Sequence, residues 1–139
     1  MFQFYEDKAG EYRWRLKDTN GAIVADSGEG YGSRKDAEHG AKVFARLGPD
    51  AAERETTGPD GQASNPDWEY FPGKDGGWYW HFEAANGKVT ADGAEGYVSK
   101  ANVQRAIANV KELLRTLQRG NGGFEKPKPS GPVRGGRFA

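Results

Sequence analysis

The sequence predicts an α+β fold: two tandem β-β-β-α repeats packed as one pseudo-twofold domain, with an antiparallel sheet and helices on one side. Three observations carry this. Laying residues 2–48 on residues 68–114 without a gap, a constant shift of 66, aligns turn and aromatic positions such as Trp14/Trp80, Gly21/Gly87, Asp26/Asp92 and Tyr31/Tyr97. Each segment contains a stretch of strict apolar–polar alternation, the mark of a half-buried strand. Each ends in a serine followed by apolar residues at helical spacing.

In the first segment, residues 1–48, an aromatic run at Phe2–Tyr5 leads through the glycine turn "DKAGE" to "YRWRLK". There Tyr12, Trp14 and Leu16 share one face, and Arg13, Arg15 and Lys17 share the other. Asn20-Gly21 then marks a hairpin, since both residues tolerate positive φ. A third strand runs through "AIVAD". Ser33 caps a helix bearing Ala37, Gly40, Ala41, Phe44 and Leu47, stopped by Gly48-Pro49. Residues 49–67 read as an acidic linker rich in Pro, Gly and Ser, with one basic and five acidic residues.

The second segment, residues 68–120, repeats the order. Trp68–Phe71 precedes "WYWHFE", in which Trp78, Trp80 and Phe82 oppose Tyr79, His81 and Glu83. Asn86-Gly87 and "KVTAD" follow, and Ser99 caps a longer helix with Val103, Ile107, Val110, Leu113, Leu114 and Leu117 on one stripe. One such unit is near the size at which a single core is marginal. The two copies are therefore expected to pack their aromatic sheet faces and helices together within one monomer. Residues 121–139 read as a flexible basic Gly/Pro-rich tail.

Composition excludes several classes of chemistry. The chain has no cysteine, which removes disulfides, thiolate catalysis and cysteine-based zinc sites. The 20 basic and 20 acidic residues cancel. No apolar run approaches the ~18 residues of a membrane span, and the N-terminal stretch lacks an apolar signal core, so a cytoplasmic protein without a membrane partner is expected.

The stretch "EYRWRLKDTNGAIVADSGEGYGSRKDAEHG" closely resembles the YegP-like family of small tandem-repeat proteins of unknown function. The shared features are the aromatic strand, the Asn-Gly hairpin, the Ser/Gly turn with Glu and Tyr, and Ser33-Arg34-Lys35-Asp36-Ala37-Glu38-His39-Gly40 opening a helix. The second segment keeps "EGYVSK" but places Val103 and Ala106 where the first has Ala37 and Gly40. The resemblance implies antiparallel strands with helices on one side, and it implies no known reaction.

Candidate sites divide into four groups. Gly28, Gly30, Gly32 and Ser33 superficially resemble a phosphate loop, but the spacing of that motif is absent and Glu29 would repel phosphate. Gly30, Tyr31, Gly96 and Tyr97 are read instead as structural turns at the strand-to-helix joints. Asp26, Glu29, Asp92 and Glu95 would make a carboxylate-centred metal site, and so an enzyme, if the twofold gathers them. No metal, cofactor or catalytic set is assigned. His39 and His81, the two histidines, are expected at the surface.

The fourth group is a basic row, Arg13, Arg15 and Lys17, with Tyr5 on the neighbouring strand. A cationic row beside an aromatic on an open sheet resembles single-strand nucleic-acid platforms, and Lys126, Lys128, Arg134 and Arg137 in the tail would add phosphate contacts. The functional expectation is a small non-enzymatic binding or accessory protein whose partner is another protein. An RNA- or DNA-associated module is the alternative.

Overall fold

The computed structural model describes residues 1–58 and 66–120. They form an α+β fold with one seven-stranded, mostly antiparallel sheet and two helices. The strands are β1 (Phe2–Glu6), β2 (Tyr12–Lys17), β3 (Ile23–Ser27), β4 (Ala52–Glu55), β5 (Asp67–Pro72), β6 (Trp78–Glu83) and β7 (Val89–Gly93). Helix α1 (Arg34–Leu47) follows β3, and α2 (Lys100–Gly120) follows β7. Across the sheet the order is β1-β2-β3-β7-β6-β5-β4.

Local sequence explains each join. The four hairpin turns place Gly10, Gly21, Gly76 and Gly87 at φ between +84° and +87°, where a side chain would be strained. At the first Asn-Gly turn Gly21 N–H donates to Asp18 O and Asp18 N–H to Ala22 O. This is a turn closed by a left-handed glycine, a three-residue hairpin form. Ser33 and Ser99 cap their helices, each Oγ accepting from the backbone N–H three residues on at 3.1 Å.

Two expectations are corrected. The strand groups do not stack face on face. They join edge to edge, β3 against β7, through Ala25↔Gly93, Asp26↔Asp92 and Ser27↔Ala91. The segment 49–67 is also more than a linker: a single 3-10 turn at Gly48–Asp50 leads into β4, which pairs in parallel with β5. The sheet is therefore not wholly antiparallel.

Both helices pack on one face. Phe44 of α1 is the hub there, its ring 5.5 Å from Trp14, 5.4 Å from Trp68 and 5.3 Å from Phe82, centroid to centroid. Trp68 also lies 5.0 Å from Trp80 and donates its indole N–H to Gly48 O at 2.8 Å. These rings are fully or almost fully buried, with Val103, Ile107 and Leu114 of α2 closing the layer. The opposite face carries the other half of each alternating strand and no helix among the described residues.

Truncating the hub tests this packing. Phe44→Ala opens a cavity among three aromatic rings and is expected to cost about 3–5 kcal/mol. Denaturant unfolding followed by tryptophan fluorescence should show a large fall in midpoint, whereas Ser33→Ala should cost about 1 kcal/mol.

Candidate functional site

The register of the six strand pairings draws one row of side chains straight across the helix-free face. It runs Gln3–Arg15–Asp26–Asp92–His81–Glu69–Arg54, each residue the direct partner of the next. Directly opposed residues share a face, so alternation and register alone place these groups together.

At the centre of the row the two aspartates meet across the β3–β7 pairing. Asp92 is half-buried, and burial together with a hydrogen bond and like charge from Asp26 pushes its carboxyl up to about 8. Arg13 pulls in the other direction. Two carboxylates on facing positions cannot both ionise cheaply, so Asp92 keeps its proton at neutral pH.

The four-carboxylate cluster is not assembled. Asp26 and Asp92 come together, whereas Glu29 and Glu95 act on Tyr31 and Tyr97, adding their charge to the burial that raises both phenols. Tyr31 and Tyr97 each form a single antiparallel bridge, to Tyr12 and Trp78. Gly30 and Gly96 do not have positive φ. They are glycines because a Cβ would lie 2.4 Å from the Glu11 carboxylate and 2.8 Å from the Tyr79 ring. In the loop that resembles a phosphate site, Gly28 N–H donates to Thr90 O and Tyr31 N–H to Tyr12 O, so these amides are taken up by the fold.

The basic row is half-buried and largely occupied. Arg13 Nε donates to Asp7 Oδ2 at 2.7 Å, and that bond holds the Asp7 carboxyl below its ordinary range. The Arg15 guanidinium sits 4.6 Å above the Tyr5 ring, while its buried Nε has no hydrogen-bond partner. Lys17 is half-buried at the end of β2. Lys126, Lys128, Arg134 and Arg137 lie outside the described residues.

The β5–β6 end differs. His39 is exposed as expected, but His81 is buried, because its Nε2 engages two carboxylates: Glu69 Oε1 at 2.9 Å and Glu83 Oε2 at 3.1 Å. Glu69 and Glu83 are fully buried. Arg54 of β4 reaches across with both arms of its fork, Nε to Asp67 Oδ2 at 2.9 Å and Nη2 to Glu69 Oε2. Burial raises the Glu69 carboxyl above its ordinary range, with the His81 hydrogen bond opposing. Phe71 covers the imidazole, ring centroids 5.2 Å apart. Glu69, Glu83, Asp67 and Arg54 were not among the sequence candidates. The signal available was the shared face of Glu69, His81 and Glu83 on two alternating strands.

Comparison with known proteins places the chain. A model of a domain of unknown function, DUF1508, matches residues 7–55 and 74–117. The chain belongs to the DUF1508 family. A UPF0339 protein from the ptx operon 5′ region of Stutzerimonas stutzeri is 32% identical over 110 residues, covering 79% of this chain and 85% of that protein. A UPF0339 protein of Neisseria meningitidis serogroup B is 53% identical over 43 residues, 31% of this chain and 75% of that protein. The solution NMR structure of yegP from E. coli, a protein of unknown function, superposes with TM-score 0.61 at 23% identity, covering 79% of this chain and 81% of that one. A UPF0339 protein from Shewanella oneidensis gives TM-score 0.61 at 19% identity over 80% of each chain. The YegP-like resemblance therefore stands, and with it the α+β fold. The names of these relatives indicate no specific function. No helix among the described residues is long and apolar enough to cross a membrane.

The aspartate pair makes the protein's stability pH-dependent. Asp92 binds its proton more tightly folded, at about 8, than at its ordinary value of 3.8. Its contribution is therefore fully present below about pH 4 and is lost as pH rises through about 8. Asp92→Asn should leave the melting temperature near that of the parent at pH 5 and raise it by a few degrees at pH 9, a gap that calorimetry would measure.

Proposed function

We propose that the protein is a non-enzymatic binding module built from two copies of one β-β-β-α unit, related by a pseudo-twofold axis between Asp26 and Asp92, and that it docks a partner protein on the helix-free sheet face. The constant shift of 66, the two segments matched by the family model and the outward strand order on either side of β3–β7 support the duplicated architecture. The observation that carries the docking reading is the mixed sign of the row. Arg13 is paired to Asp7, and Arg15 stands next to Asp26 in the ladder, so the face carries charges of both signs.

A polyanion gains affinity from unpaired cations that displace counterions, which a mixed row supplies poorly. A protein surface, itself of mixed sign, complements such a row and takes specificity from it. A non-enzymatic role fits the partners of the buried histidine, which are the carboxylates Glu69 and Glu83 rather than a hydroxyl nucleophile.

A photo-crosslinking residue introduced at Gln3 or Lys17, compared with one at Glu112 on α2, tests the face. We expect one protein to be captured from the two sheet positions and not from α2. That capture should survive nuclease, and from Gln3 it should fall several-fold with Tyr5→Ala/Lys17→Glu. Capture abolished by nuclease, with salt-sensitive anisotropy of labelled single-stranded RNA, would establish the nucleic-acid alternative instead. Equal capture from sheet and helix would overturn the docking surface.

A further inference from the structure

We propose that Glu69, His81 and Glu83 form a binding site for one divalent first-row transition-metal ion. The site follows from strand geometry. Glu69 is the direct partner of His81 across β5–β6, and Glu83 is two residues along β6 on the same face. Each of the three side chains thus offers a donor atom within 4.8 Å of the other two, with Glu69 Oε1 and Glu83 Oε2 both turned to His81 Nε2.

The spacing suits a cation. Donors about 2.1 Å from a metal and at right angles stand about 3.0 Å apart, and tetrahedral donors about 3.4 Å. His81 Nε2 stands 2.9 Å from one carboxylate oxygen and 3.1 Å from the other. A single Nε2 proton aimed at two acceptors satisfies neither well, because a shared proton cannot be linear to both. A metal ion in its place would bond both oxygens and the nitrogen at once. The imidazole would then act as a neutral ligand with its proton on Nδ1.

The surroundings orient the ligands. Arg54 binds Glu69 through Oε2, which leaves Oε1 turned to His81, and binds Asp67 through Oδ2. Outer contacts of this kind fix the direction of a ligating carboxylate. Asp67 is the rung partner of Glu83, is 8% exposed, and its Oδ1 is buried without a hydrogen-bond partner. As the carboxylate directly opposite Glu83 in the ladder, it is the further oxygen ligand that we assign to a fourth position. One imidazole with carboxylates selects zinc, manganese, iron, cobalt or nickel rather than calcium or magnesium, which prefer oxygen alone. The side chains of His81, Glu69 and Glu83 are 4%, 0% and 0% exposed, so the ion would be shielded from water and would rigidify the β5–β6 end.

The test uses the full chain without a histidine tag, stripped with chelator and titrated with Co²⁺ and Zn²⁺. We expect one equivalent of Co²⁺ to bind with visible d–d absorption, Zn²⁺ to displace it, and the melting temperature to rise. With only two histidines in the chain, imidazole ¹⁵N NMR assigns the site without any substitution. Zn²⁺ should move His81 Nε2 and leave His39 in place. His81→Gln and Glu83→Gln should each weaken binding at least ~100-fold, and His39→Gln should not change it. If a His81 variant fails to fold, the wild-type ¹⁵N shift and Glu83→Gln decide. No saturable one-equivalent binding below about 100 μM, or binding that shifts His39 alone, would overturn the site and leave a metal-free polar network.

Discussion

The antiparallel join of β3 to β7 is the constraint on which the rest depends. One strand group has three strands and the other four, each with one helix, and a unit of that size is marginal as a core on its own. Three rungs between Ser27 and Ala91, Asp26 and Asp92, and Ala25 and Gly93 turn two small sheets into one. The helices then share a single aromatic layer, with Phe44 of α1 reaching Trp68 and Phe82 beyond the join. A join this short is tightly specified, because a one-residue slip would send Asp26 and Asp92 into the core and Ala25 and Ala91 to the other face.

The same join creates the strain at its centre. Correct register forces two carboxylates to oppose each other on the helix-free face, and the Asp92 carboxyl is held well above its ordinary range there. Arg13 and Arg15 lie on the β2 side of the pair, and Arg13 moderates the Asp92 shift without cancelling it. The arginines that looked free in the sequence are thus partly committed to local charges. A basic stripe read from one strand says nothing about the acids its neighbours bring alongside.

Most of the fold was legible because its determinants are local. Alternation in "YRWRLK" and "WYWHFE", the two Asn-Gly turns and the serine caps each act within a few residues, and each appears where expected. β4 was not legible: "AERE" has no apolar periodicity, and it forms a strand because β5 offers an edge to pair with. The buried Glu69–His81–Glu83 group was missed for the same reason. Period two assigns a residue to a face, but whether that face is wet depends on what arrives from elsewhere in the chain. The Gly30 and Gly96 positions show a third limit, since glycine was required by the approach of Glu11 and Tyr79 side chains rather than by a turn.

The two ends of the sheet make that last point physical. At the shift of 66, Gln3, Arg15 and Lys17 correspond to Glu69, His81 and Glu83. The first set lies half-buried beside an edge strand, and the second is sealed. β4 is an evident structural difference between these ends: it adds a seventh strand beside β5 and delivers Arg54, whose fork holds both Glu69 and Asp67. A buried carboxylate without a charged or hydrogen-bonding partner costs several kcal/mol, so Glu69 is tolerable where Arg54 reaches and would be costly without it. At β1, which has no further strand beyond it among the described residues, the equivalent rung carries a neutral glutamine. The chemistry of each end therefore tracks what lies beside it: an outer strand with a guanidinium permits a sealed acidic–imidazole cluster, and an open edge keeps polar and cationic side chains near solvent.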